Sequence, residues 1–88
     1  MRPVVSWMTK SDDAILELLA ETGIALPPAA ISFNIEVSHP TVRRRLPKLL
    51  DHELVRKADE DKGYYEITEK GRKYLTGELD ASELEQTE

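Results

Sequence analysis

Ser38-His39-Pro40-Thr41-Val42-Arg43-Arg44-Arg45-Leu46-Pro47-Lys48-Leu49-Leu50-Asp51-His52-Glu53-Leu54-Val55 is the stretch whose reading decides the fold. Ser38 is a good N-cap, and Pro40 suits a first helical turn because its missing N–H would have had no intrahelical partner. At about 100° per residue, Val42, Leu46, Leu49 and Leu50 fall on one side, and Pro40, Thr41, Arg44 and Lys48 on the other. Arg43 and Arg45 flank that seam. The spacing predicts a helix over 39–52, with Pro47 removing one backbone hydrogen bond and bending the axis. Its exposed side therefore joins small hydrogen-bonding groups at the start to cations further along.

Working outward, the segment before it reads as two more helices. Thr9 or Ser11 caps the first, Asp12 and Asp13 suit the positive end of its dipole, and Gly23 ends it. Ala14, Ile15, Leu16, Leu18 and Leu19 supply the inward face. Ile24-Ala25-Leu26 is a short extended segment, and Pro28 opens a second helix over 28–33. Ala29, Ala30, Ile31 and Phe33 give that helix a small and apolar surface. Asn34 tolerates the left-handed conformation of a tight exit, and a turn over 34–37 returns the chain to Ser38.

Beyond the decisive stretch, Leu54 to Ala58 and Gly63 to Thr68 are two extended runs around the polar Asp59-Glu60-Asp61-Lys62-Gly63, an antiparallel hairpin. Tyr64 and Tyr65 alternate on the second strand, one inward and one outward. Thr68 caps a last helix whose apolar side is Tyr74, Leu75 and Leu79. Gly71 in its first turn costs about 1 kcal/mol relative to Ala, which implies close backbone approach to a neighbour. The organisation expected is an N-terminal arm over 1–8, one domain over 9–79, and an acidic tail over 80–88, frayed beyond Leu79.

The order is α+β: three helices, a β-hairpin and a C-terminal helix, which matches a winged helix-turn-helix. The charge map agrees only when resolved by position. The whole chain of 88 residues carries −5, which argues against a protein coated in positive charge. Yet residues 38–57 hold six cations against two carboxylates, a local +4 that leaves −9 for the remainder. Arginine suits nucleic acid because its planar fork bonds bidentately to guanine O6 and N7 or to phosphate oxygens.

Other chemistries find no foothold. Cysteine is absent, which removes disulfide scaffolds, Cys-ligated zinc and thiol nucleophiles. His39 and His52 stand about 20 Å apart along one helix and cannot share a metal. Ser38 beside His39 is no catalytic pair, because adjacent helical side chains do not face each other. The glycines are isolated, so no phosphate-cradling loop is present. No enzyme, metal or cofactor is expected, and a small-molecule effector is left open. No apolar run approaches the roughly 20 residues of a membrane span, and the first eight residues lack the shape of a signal peptide, so a soluble cytoplasmic protein is expected. Trp7, an aromatic in an N-terminal arm, reads as part of a dimer seam.

Three strings carry a family resemblance: Ser38-His39-Pro40-Thr41-Val42-Arg43-Arg44-Arg45-Leu46, then Leu49-Leu50-Asp51-His52-Glu53-Leu54-Val55, then Ile67-Thr68-Glu69-Lys70-Gly71-Arg72-Lys73-Tyr74-Leu75. They resemble MarR-type winged-helix transcription regulators. With Trp7-Met8-Thr9 before Asp12-Asp13, and the acidic end, the chain is similar to small haloarchaeal regulators related to a halophage repressor. The resemblance implies a homodimer that represses transcription from double-stranded DNA, with helix 39–52 in the major groove and the hairpin beside the backbone. It also implies the contacts. Ser38, His39, Pro40, Thr41 and Arg44 would read bases, while Arg43, Arg45 and Lys48 would meet phosphates. In the wing, Lys57 and Lys62, with Arg56, are the remaining cations. The alternative is a winged-helix protein-interaction module without specific DNA binding, its acidic faces meeting a basic partner. Two departures from the family stand out. Glu53 occupies a corner where Gly is common, at a cost of about 1 to 2 kcal/mol if left-handed. Asp59, Glu60 and Asp61 at the wing tip would repel phosphate. The acidic remainder suits solubility at high ionic strength, as the haloarchaeal resemblance implies.

Overall fold

Thr9 begins the first helix with a reciprocal capping box: its side chain accepts from the Asp12 N–H (3.1 Å), and the Asp12 carboxylate accepts from the Thr9 N–H (2.9 Å). In the computed structural model, which describes residues 2–85, this opens α1 (Lys10–Thr22), closed by left-handed Gly23. Then follow α2 (Pro28–Ile35), α3 (His39–Asp51), β1 (Val55–Asp59), β2 (Tyr64–Ile67), α4 (Glu69–Thr76) and a short α5 (Ser82–Glu85).

The first three helices pack on one another around Ile15, Leu16, Leu19, Ile31, Val42, Leu46 and Leu49, and Leu54, Val55, Ile67 and Tyr74 extend this core under the hairpin. Helix α2 runs two residues past the expected end. Asn34 is still helical and donates from its amide to Ala30 O (2.7 Å), so the left-handed exit falls on Glu36 (φ 56°). The Ser32 hydroxyl donates to Val37 O (2.6 Å), which ties the turn back to the helix. Ile31 enters the core while Phe33, two positions on and therefore on another face, is 87% exposed.

Ser38 caps α3 as expected, and the helix continues through Pro47 to Asp51. At its end Glu53 is left-handed (φ 62°), the strained corner expected there. Its carbonyl accepts the Thr68 hydroxyl (2.6 Å), which holds the corner against the start of α4.

The hairpin is antiparallel, pairing Val55 with Ile67, Arg56 with Glu66, Lys57 with Tyr65 and Asp59 with Tyr64, so Ala58 is bulged. Leu54, expected in the first strand, lies just before it and is fully buried. A further stub comes from the extended segment after α1. Leu26 N–H donates to Tyr65 O (2.8 Å) and Tyr65 N–H to Leu26 O (2.9 Å). Gly71 is where the fold is tightest: a Cβ there would strike Leu54 O and stand 2.6 Å from Ile67 Cγ1.

The two chain ends depart most from expectation. Beyond Leu79 the chain is not frayed up to Glu85, because α5 buries Leu84 fully in the core. The arm packs as well. Val5 is buried, and Ser6 donates from its N–H (2.7 Å) and hydroxyl (2.6 Å) to the two oxygens of Glu85. Arg2 bridges to Glu17 (2.6 Å). Residues 86–88 of the expected tail lie outside the described residues.

Candidate nucleic-acid interface

The three consecutive arginines of α3 point three ways, because each step along a helix turns the side chain by about 100°. Arg44 is exposed on the outward face with Pro40 and Pro47. Arg43 is exposed on the flank toward the wing, where it lines a groove of about 410 Å3 with Pro28, Pro47, Lys62, Gly63 and Tyr65. That groove brings a helix cation and a wing cation to one cleft. Among the described residues, neither Arg43, Arg44 nor Lys62 is in an ion pair.

Arg45 is different, and the phosphate contact expected of it does not fit its position. Its Nε and Nη2 donate to the two oxygens of Asp12 (2.9 and 2.8 Å), and Nη2 also donates to Trp7 O (3.2 Å). Asp12 is fully buried. The bonds to Asp12 raise the Arg45 pKa above its ordinary value against the opposing effect of desolvation. Asp12, expected only to complement the helix dipole, therefore has this second role. The signal lay in the register, since Asp12 precedes inward-facing Ile15 and Leu16 and Arg45 lies one turn from Val42 and Leu49.

The rest of that flank also meets the arm. Trp7 stacks on His52, with ring centroids 4.3 Å apart and planes at 22°. Lys48 Nζ lies 5.3 Å from the Trp7 ring centroid, while the indole N–H donates to Leu84 O (2.7 Å). The Trp7 ring and its N–H thus have partners within the chain, and the residue braces the arm against α3 and α5. Burial lowers the His52 pKa, helped by the positive charges of Lys48 and Lys70.

At the start of α3, Ser38 Oγ accepts from Thr41 N–H (3.2 Å) and donates to Thr41 Oγ1 (2.8 Å), which leaves the Thr41 hydroxyl hydrogen free for an outside acceptor. His39 and Pro40 are exposed beside them. In the wing, Arg56 pairs with Glu66 across the strands (2.5 Å), and exposed Lys57 reaches over the Tyr65 ring (5.9 Å). The Asp59 carboxylate at the tip is engaged locally, accepting from the N–H groups of Asp61 (3.0 Å) and Lys62 (3.2 Å) and so shaping the turn that presents Lys62. Glu60 and Asp61 stay exposed. The described residues hold no cluster of three or more potential metal ligands, and no helix among them is long and apolar enough to cross a membrane.

A helix-turn-helix whose second helix presents an open cationic face, flanked by a hairpin with cations of its own, defines a winged helix-turn-helix module. Comparison with known proteins narrows the class. A family described as winged helix-turn-helix phage repressor matches residues 1–87, and the chain belongs to that family. The repressor protein of Halobacterium phage phiH is 37% identical over 83 residues, spanning 92% of this chain and 93% of that protein. The crystal structure of the PhiH1 repressor-like protein from Haloarcula marismortui superposes with a TM-score of 0.80 at 43% identity, covering 92% of this chain and 91% of that one.

Proposed function

We propose that this chain is a sequence-specific double-stranded DNA-binding repressor that reads the major groove with α3. The observation that carries this is the outward face of α3, where Arg44 stands exposed beyond a helix start made of Ser38, His39, Pro40 and Thr41. Small groups at the start let the helix approach base edges, and Arg44 can bond a guanine edge bidentately. Arg43 and Lys62, which share a groove, would meet phosphates together with Lys48 and Lys57 outside it. The strings resembling MarR-type regulators lie on α3, its corner and α4, and agree with this docking.

The protein acts as a homodimer on paired half-sites, because one subunit with a single reading helix covers little sequence. It is a cytoplasmic regulator without enzymatic activity or a cofactor. The test is binding of duplex DNA to wild type and Arg44→Ala across a salt series. Specific affinity should fall by about 1 to 3 kcal/mol in the variant, and the wild type should lose affinity steeply with salt. Absent or salt-insensitive binding, unchanged in the variant, would overturn the reading.

A further inference from the structure

The arm that carries Trp7 engages one continuous strip of α3. The strip is Arg45, Lys48 and His52, spaced three and four residues apart and so aligned along one flank. Arg45 meets Trp7 O, Lys48 lies over one part of the Trp7 ring, and His52 stacks on the ring at the far end of the helix. The arm is itself held firmly. The Trp7 indole is tied to Leu84 O, Ser6 to Glu85, and Thr9 into the capping box of α1.

We propose that Trp7 is a positioning residue for DNA reading, fixing the rotation of α3 about its own axis and the direction of Lys48. This rests on the proposed DNA-binding role of α3. The apolar seam of Val42, Leu46 and Leu49 holds the helix down but resists rotation weakly, because aliphatic contacts are non-directional. Contacts on the flank resist it with a longer lever. A turn of about 20° sweeps a side-chain tip roughly 6 Å from the axis through about 2 Å. A directed contact is productive only within about 0.5 Å of its proper geometry. A loosened helix therefore still meets phosphates through long-range charge and loses its discrimination between base sequences.

The test uses the full chain and two probes: the duplex that the wild type enriches from a random-sequence pool, and a scrambled duplex of equal length and composition. Trp7→Leu removes stacking and the cation–π contact, and its ratio of specific to scrambled affinity should fall about 10-fold, with scrambled binding changed less than about 2-fold. Trp7→Phe keeps a ring for His52 and Lys48 but loses the N–H bond to Leu84. It should melt at a lower temperature yet retain discrimination within about 3-fold of wild type. A role in stability alone would lower the melting temperature of both variants and leave the ratio unmoved, which would overturn the proposal. Should Trp7→Leu not fold, His52→Ala carries the same test, with an expected drop in the ratio of about 3-fold and an unchanged ratio as the overturning result. If the wild type enriches no sequence, the DNA-reading role itself fails. If it enriches one and the Trp7 and His52 variants discriminate as well as it does, only the positioning role fails.

Discussion

The two sides of α3 carry the same chemistry and put it to opposite uses. On the outer face Arg44 stands in solvent among Pro40 and Pro47, while on the inner flank Arg45, the next residue, is bound to a fully buried carboxylate. Identity of side chain therefore says little about role, and the angle around the helix says a great deal. Under the proposed DNA-reading role, the outer face is energetically cheap to alter and functionally costly. The inner flank is the reverse, because taking a charge out of water is compensated only while its partner remains.

The strongest way to break this contrast is Asp12→Ala. It leaves the Arg45 guanidinium without its partner and dissolves the capping box, so urea unfolding should show a loss of about 3 to 5 kcal/mol. A loss below about 1 kcal/mol would mean that the inner flank is as tolerant as the outer. Arg44→Ala should do the converse, weakening specific DNA binding by about 1 to 3 kcal/mol with a melting temperature unchanged from wild type. A marked fall in melting temperature would show that the outer face is structural too.

Smaller effects sharpen the boundary between the two sides. Glu53 ends the helix in the left-handed region with an exposed side chain, and Glu53→Gly removes that strain. Chemical denaturation should register a gain of about 1 kcal/mol, with DNA affinity unaffected. The smallest effect concerns acid. His52 is held below its ordinary pKa first by burial and then by Lys48 and Lys70, against the opposing charge of Asp51. The unfolded chain therefore binds more protons near and below the free histidine value of about 6.5. The stability His52 contributes is complete above that pH and is lost as pH falls through its lower folded value. His52→Phe keeps a ring on Trp7 and should flatten this part of a stability–pH curve, a difference best read from thermal melts between pH 7 and about pH 5.

Much of this was legible locally. The caps at Thr9, Ser38 and Thr68, the hairpin, the strained corner at Glu53 and the close approach at Gly71 all follow from short-range stereochemistry, and each is present. The exposed face of α3 was legible for the same reason, since helical periodicity alone separates Arg44 from Leu46. What escaped were pairings between distant parts of the chain. Glu36 rather than Asn34 took the left-handed exit once the core had claimed Ile31 and the Ser32–Val37 bond had set the turn. Leu84 turned an expected frayed end into a short helix because a buried site awaited it.

The sequence by itself determined the order of elements, the amphipathic division of α3 and the concentration of cations on that helix, because these depend on residues within one or two turns of each other. Only the tertiary structure decided which cations remain free. Arg45 is withdrawn by Asp12, 33 residues away, and Trp7 is engaged by His52, Lys48 and Leu84. A buried charge must find its partner wherever the packing puts one, and no local pattern encodes that address.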